Sequence, residues 1–123
     1  MRYVDGYVLP VPKKNLAMYR RIATAAGKVW MQCGALEYNE CVADDVKPGK
    51  LTSFPQSVKQ KPGETVIFAW VVYKSRAHRD QVNAKVMKHP KMLKMMADMK
   101  SKKQQPFDDK RMFWGGFKAI VEL

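Results

Sequence analysis

From Tyr3 to Leu9, aromatic or polar residues (Tyr3, Asp5, Tyr7) alternate with small apolar ones (Val4, Gly6, Val8). This period of two predicts a strand, and Pro10 and Pro12 are expected to stop it. From about Asn15 the spacing turns helical, with Leu16, Tyr19, Ala23, Ala26, Trp30 and Cys33 on one stripe, and Gly34 stands where a helix C-terminus takes a left-handed residue. Ala35 to Ala43 alternates again and predicts a second strand. Asp44 to Gly63 forms a connection of about 20 residues, long for a compact domain, in which "FPQSV" has room for one helical turn. "ETVIFAWVVY", Glu64 to Tyr73, is apolar on both alternating faces, as a central strand covered on both sides is. Ser75 suits the N-cap of a helix from Arg76 to near Lys88, because Pro90 disfavours helical backbone at His89. "PKMLKMMADMK" then predicts a second short helix and "SKKQQPFDD" a polar loop. "KRMFWGGFKAIVEL" predicts a final strand whose Gly-Gly pair marks a bulge or a close backbone approach.

The resulting order, β-α-β-β-α-β, is that of an α+β, ferredoxin-like sheet with helices on one face, in a single domain spanning residues 1–123. Its other face carries Phe68, Trp70 and Trp114, or their equally apolar alternates. Large exposed apolar patches mark a partner, so sheet-to-sheet homodimerisation into a dimeric α/β barrel is expected.

Charge adds a second theme. With 23 Lys plus Arg against 11 Asp plus Glu, the chain carries a formal +12, which favours contact with polyanions. The basic residues are nevertheless spread along the chain, without an RNP, zinc-finger or basic-zipper pattern. Cys33 and Cys41 are too few for a disulfide scaffold and lack C-x-x-C spacing, so buried free thiols in a reducing compartment are expected. The segment "MRYVDGYVLPVPKK" offers no apolar signal-peptide core and no run reaches the ~18 residues of a membrane span, so a cytoplasmic location without membrane contact is expected.

Four blocks, "YVDGYVLPVPKKNLAMYRR", "GALEYNECVADDVKPGKLTSFPQSVK", "VYKSRAHRDQVNAKVM" and "PFDDKRMFWGGFKAIVEL", closely resemble the bacterial YbaA-like proteins, a family of unknown function. That family is similar to the dimeric α/β-barrel superfamily, so the resemblance implies the same fold and dimer as the patterning. It implies no activity, since the superfamily includes cofactor-free monooxygenases, haem-degrading enzymes, chlorite dismutases, muconolactone isomerases and ligand-binding regulators. The haem-degrading relatives use an asparagine where Asp5 or Gly6 stands here, a departure that speaks against a haem role.

Within the sheet, Asp5 and Tyr7 share a face of the first strand, and Met112, Trp114, Gly116 and Lys118 share one of the last. The small face of Val4, Gly6 and Val8 is expected under the helices, with Phe113, Phe117, Ala119 and Val121, which sends Asp5 and Tyr7 toward the dimer barrel. An acidic group with aromatic walls is a recipe for a small-ligand pocket. Asp5, Tyr7, Tyr38, Glu40, Trp70, His78 and Trp114 are its candidates, with Asp5 as a base, Trp70 and Trp114 as walls and His78 as a polar contact. The plainer reading makes the aromatics core or interface packing, His78 a core-edge imidazole and Asp5 the partner of Lys118. No phosphate loop, dinucleotide fingerprint or H-E-x-x-H metal motif occurs, so no metal, cofactor or catalytic residue is assigned. The competing function is RNA or other polyanion binding through a cationic surface, for which Arg76, Arg79 and Lys88 are candidates, with Arg76, Arg79 and Asn83 expected to point outward.

Overall fold

The structure, a computed structural model, describes residues 1–101 and 105–123. Four antiparallel strands, β1 (Tyr3–Pro12), β2 (Glu37–Val42), β3 (Glu64–Tyr73) and β4 (Phe113–Lys118), lie in the order β2-β3-β1-β4. Helix α1 (Leu16–Gln32) connects β1 to β2, the one-turn helix α2 (Phe54–Ser57) sits in the long loop, and α3 (Arg76–Lys88) and α4 (Pro90–Lys100) connect β3 to β4. This is the ferredoxin-like α+β arrangement. Among the described residues, no helix is long and apolar enough to cross a membrane. The expected polar loop at Ser101–Asp109 lies partly outside the described residues, at 102–104.

The helix ends follow local chemistry. Ser75 accepts the His78 N–H at 3.1 Å to open α3. His89 leaves the helical region at φ −68°, ψ 131°, as the residue before Pro90 must, and its Nδ1 accepts the Lys91 N–H to cap α4. Gly34, at φ 115°, supplies the left-handed turn after α1.

Contrary to expectation, β1 runs through both prolines. Pro10 and Pro12 stay in register with Val66 and Glu64 of β3, whereas β4 pairs only as far as Val8. Among the described residues, β1 beyond Val8 has a neighbouring strand on one side alone, and prolines two residues apart direct their missing N–H groups to the same side.

The face assignment is the second correction. Tyr3, Asp5, Tyr7, Leu9 and Val11 face the helices, in register with Tyr73, Val71, Ala69, Ile67 and Thr65. They pack with Val29, Val82, Val86 and Met92 in one core cluster and with Tyr19 and Leu16 in another. Trp114, Gly116 and Lys118 share this face; Phe113 and Phe117 lie on the opposite one. The physical reason is size: the layer between sheet and helices needs large side chains to reach across it, and the small residues cannot fill it.

Val4, Gly6 and Val8 therefore belong to the open face, which reads across the sheet as Glu37–Val72–Val4–Phe117, Asn39–Trp70–Gly6–Gly115 and Cys41–Phe68–Val8–Phe113. A short apolar cluster of Val8, Val58 and Val66 brings the α2 segment over one end of it, with Phe54 against Phe68 and Phe68 against Trp70. Cys41 is exposed here and Cys33 half-buried, so neither thiol is in the core. The glycine pair of β4 serves both faces. Gly115 meets Gly6 on the open face, whereas a Cβ on Gly116 would stand 2.4 Å from the Tyr3 hydroxyl and 2.5 Å from Arg79 Nη2.

Candidate functional site

Between α1, α4 and the sheet lies a cavity of about 220 Å³. The sheet contributes Tyr7, Leu9, Tyr38, Glu40, Ala69 and Val71 to its wall. One stripe of α4, Met92, Met95, Met96 and Met99, closes it with the i, i+3, i+4, i+7 spacing of a helix face. Opposite the α1 residues Tyr19, Ile22, Ala23, Ala26 and Trp30, the wall also includes Phe107 and Met112. They are held by Arg111, whose guanidinium meets Glu64 at 2.8 and 2.6 Å and donates from Nε to Asp108 at 3.1 Å. This fork lowers the Glu64 pKa and raises that of Arg111.

Among the described residues, Glu40 is the one charged residue in this lining. Tyr19 donates to its Oε1, and Tyr38 donates to its Oε2 at 2.5 Å. Burial, reinforced by the Glu40 charge, pushes both phenols far above the ordinary tyrosine range, so both remain donors at any physiological pH. The sequence arranges this locally. Gly27 in mid-helix lets α1 approach Tyr38, since a Cβ there would lie 2.7 Å from the tyrosine ring, and β2 alternation puts Tyr38 and Glu40 on the same face. Each carboxylate oxygen keeps lone-pair capacity beyond its phenol, so a bound molecule with an N–H or O–H has an acceptor at the cavity's edge.

Of the sequence candidates, Tyr7, Tyr38 and Glu40 come together in this lining. Trp114 stacks on Tyr7 from the neighbouring strand, centroids 5.8 Å apart, and stands behind the wall. Trp70 lies on the opposite face of the sheet, because residues 69 and 71 are the ones in β3 that face the helices. His78 is a capping residue, its Nδ1 accepting the Lys74 N–H at 2.9 Å with its ring edge-on to Tyr73.

Asp5 is fully buried one row along the sheet, outside the cavity lining. Its neighbour is Arg79 rather than Lys118: Nε stands 3.5 Å from Oδ1, without good hydrogen-bond geometry at either atom. Arg79 also donates to Tyr3 Oη at 3.1 Å, lies 5.0 Å above the Tyr3 ring and pairs with Asp80. Burial raises the Asp5 pKa, with Arg79, Asn83 and Tyr73 pulling it back. Arg79 and Asn83 thus point inward, contrary to expectation, because 79, 82, 83 and 86 form the α3 stripe that meets the sheet. Arg76 and Lys88 are exposed at opposite ends of α3, about 18 Å apart along the helix, so the three cations do not form one patch.

The cavity residues overlooked in the sequence are Tyr19, Trp30, Phe107 and the methionines. The spacing of Met92, Met95, Met96 and Met99 was the available signal.

Comparison with known proteins agrees with this architecture. The family described as "Protein of unknown function (DUF1428)" matches residues 2–109. "Uncharacterized protein YbaA" of Escherichia coli is 41% identical over 122 residues, 99% of either chain, and the Shigella flexneri protein of the same name matches equally. Two solved structures share the fold: Rv0793 from Mycobacterium tuberculosis, with 13% identity, TM-score 0.53 and coverage of 99% of this chain and 98% of that one; and a mutant of SnoaB, a cofactor-independent oxygenase from Streptomyces nogalater, with 14% identity, TM-score 0.54 and coverage of 99% and 96%.

Proposed function

Because the chain belongs to the DUF1428 family, whose name assigns no activity, we propose its function from the site: it binds a small, largely apolar molecule between helices and sheet. The observation that carries this reading is Glu40, held by two phenols at the edge of a cavity otherwise lined by aromatic and aliphatic side chains and methionines. A mostly apolar pocket with a few convergent polar groups is the usual form of a small-molecule site. The methionines add an adaptable wall, since thioether side chains repack around different shapes. The cofactor-independent oxygenase on the same fold supports an extension of this reading, in which Glu40 accepts a proton from the bound molecule.

The protein acts as a homodimer through the open sheet face. Phe68 is 44% and Phe117 67% exposed there, Phe113 is exposed as well, and the Gly6–Gly115 pair leaves the centre open to a partner. A second copy of the same sheet, packed face to face at about 10 Å, covers this surface.

The binding reading is tested with N-phenylnaphthylamine, a neutral aromatic amine that fluoresces in apolar sites. Saturable binding is expected, weakened about tenfold in Glu40→Gln, because hydrogen bonds to charged groups contribute more than neutral ones. Unchanged affinity in Glu40→Gln removes Glu40 as the anchor, and failure of the wild type to bind removes the cavity as a site.

A further inference from the structure

Resting on that cavity, we propose that its natural ligand is an amphipathic anion, an aromatic or aliphatic body with a carboxylate, sulfonate or phosphate that Arg20 and Lys28 receive at the mouth. Beside the cavity lies an open groove of about 860 Å³, a vestibule that shares Tyr19, Ala23, Tyr38 and Glu40 with it. Arg20, Thr24 and Lys28 line the vestibule. Four residues apart in sequence, they form one ridge of α1, beside the Tyr19–Ala23 ridge that enters the cavity.

Cations outnumber carboxylates at this mouth, Arg20 and Lys28 against Glu40. No Asp or Glu occurs between Gly6 and Leu36, so α1 carries cations without carboxylates of its own. Among the described residues, neither Arg20 nor Lys28 is ion-paired. The nearby carboxylate in the shared lining, Glu40, is engaged by Tyr19 and Tyr38. Two cations outside any ion pair among the described residues therefore stand beside an apolar interior. A ligand that buries its body and leaves an anionic group in the vestibule satisfies both regions, and arginine's planar fork suits two-oxygen anions. A wholly neutral ligand uses the interior alone.

The test compares N-phenylnaphthylamine with anilinonaphthalenesulfonate, which adds a sulfonate to the same aromatic amine. In Arg20→Gln/Lys28→Gln, whose two sites are exposed, the sulfonate is expected to bind about fivefold more weakly, the combined effect of two solvent-screened charges. The neutral amine should keep its affinity within about a factor of two, and added salt should weaken the sulfonate in the wild type only. Equal losses for both probes, or no loss for the sulfonate, overturn the anion assignment while leaving the cavity in place. A wild-type protein that binds neither probe overturns the cavity reading itself, and the anion assignment with it.

Discussion

Replacing Arg79 with methionine is expected to cost about 3 kcal/mol of stability at pH 7, lowering Tm by about 12 °C. The loss arises because the substitution leaves the Asp5 carboxylate, 0% exposed, without its counter-charge. The groups facing Asp5 are Arg79, Asn83 and Tyr73, with Asp80 and Tyr3 around Arg79. The pH dependence follows from the direction of the shift. Asp5 titrates above its ordinary value of 3.8 in the folded protein because burial outweighs Arg79. The folded state therefore holds a proton that the unfolded chain has released, and stability falls as pH rises from about 3.8 to the folded-state pKa. Without Arg79 the folded pKa climbs further, so this falling limb extends to higher pH and the variant's deficit is smaller at pH 5 than at pH 8. Adding Asp5→Asn removes the buried charge and should restore most of the loss. Urea unfolding of the single and double variants across that pH range checks this; a single variant as stable as the wild type at pH 8 contradicts it.

Phe68→Asp is expected to turn a dimer at about 10 μM into a monomer, weakening association at least a hundredfold, as truncating an interface anchor does and an inserted charge reinforces. Phe68 sits at the middle of the aromatic run from Phe54 to Trp70 on the open face. Light scattering gives the mass and far-ultraviolet circular dichroism shows that the sheet persists. A monomeric wild type, or a dimeric, folded Phe68→Asp, removes the open face as the interface.

Much of the architecture is legible in the amino-acid pattern. The bounds of β3 and α3 follow from an unbroken apolar run and from Ser75 and Pro90, which act within a few residues of themselves. Alternation likewise shows that Asp5 travels with Tyr7, and Trp114 with Gly116. What alternation does not carry is which face the helices cover, since both faces of β1 and β3 hold apolar residues. The helices settle the matter through the volume that Tyr3, Tyr7 and Leu9 fill. That choice carried Asp5 and Tyr7 from the dimer side to the helix side and separated Trp70 from them. The same ambiguity on α3 hid Arg79, which has the composition of a surface residue and the spacing of a core one. The Tyr19–Glu40 and Arg111–Glu64 contacts join residues far apart in sequence, and no local pattern announces them.

The claim that a small molecule occupies the space between α1, α4 and the sheet is tested most directly by the methionines themselves. The chain has nine, and Met92, Met95, Met96, Met99 and Met112 line the cavity, whereas Met1, Met18 and Met87 do not. In carbon-13 methyl spectra of the full chain titrated with N-phenylnaphthylamine, the five lining methyls should shift together and saturate, with those of Met1, Met18 and Met87 unmoved. Saturable binding that leaves the five in place, or that moves Met1, Met18 and Met87 instead, contradicts the account.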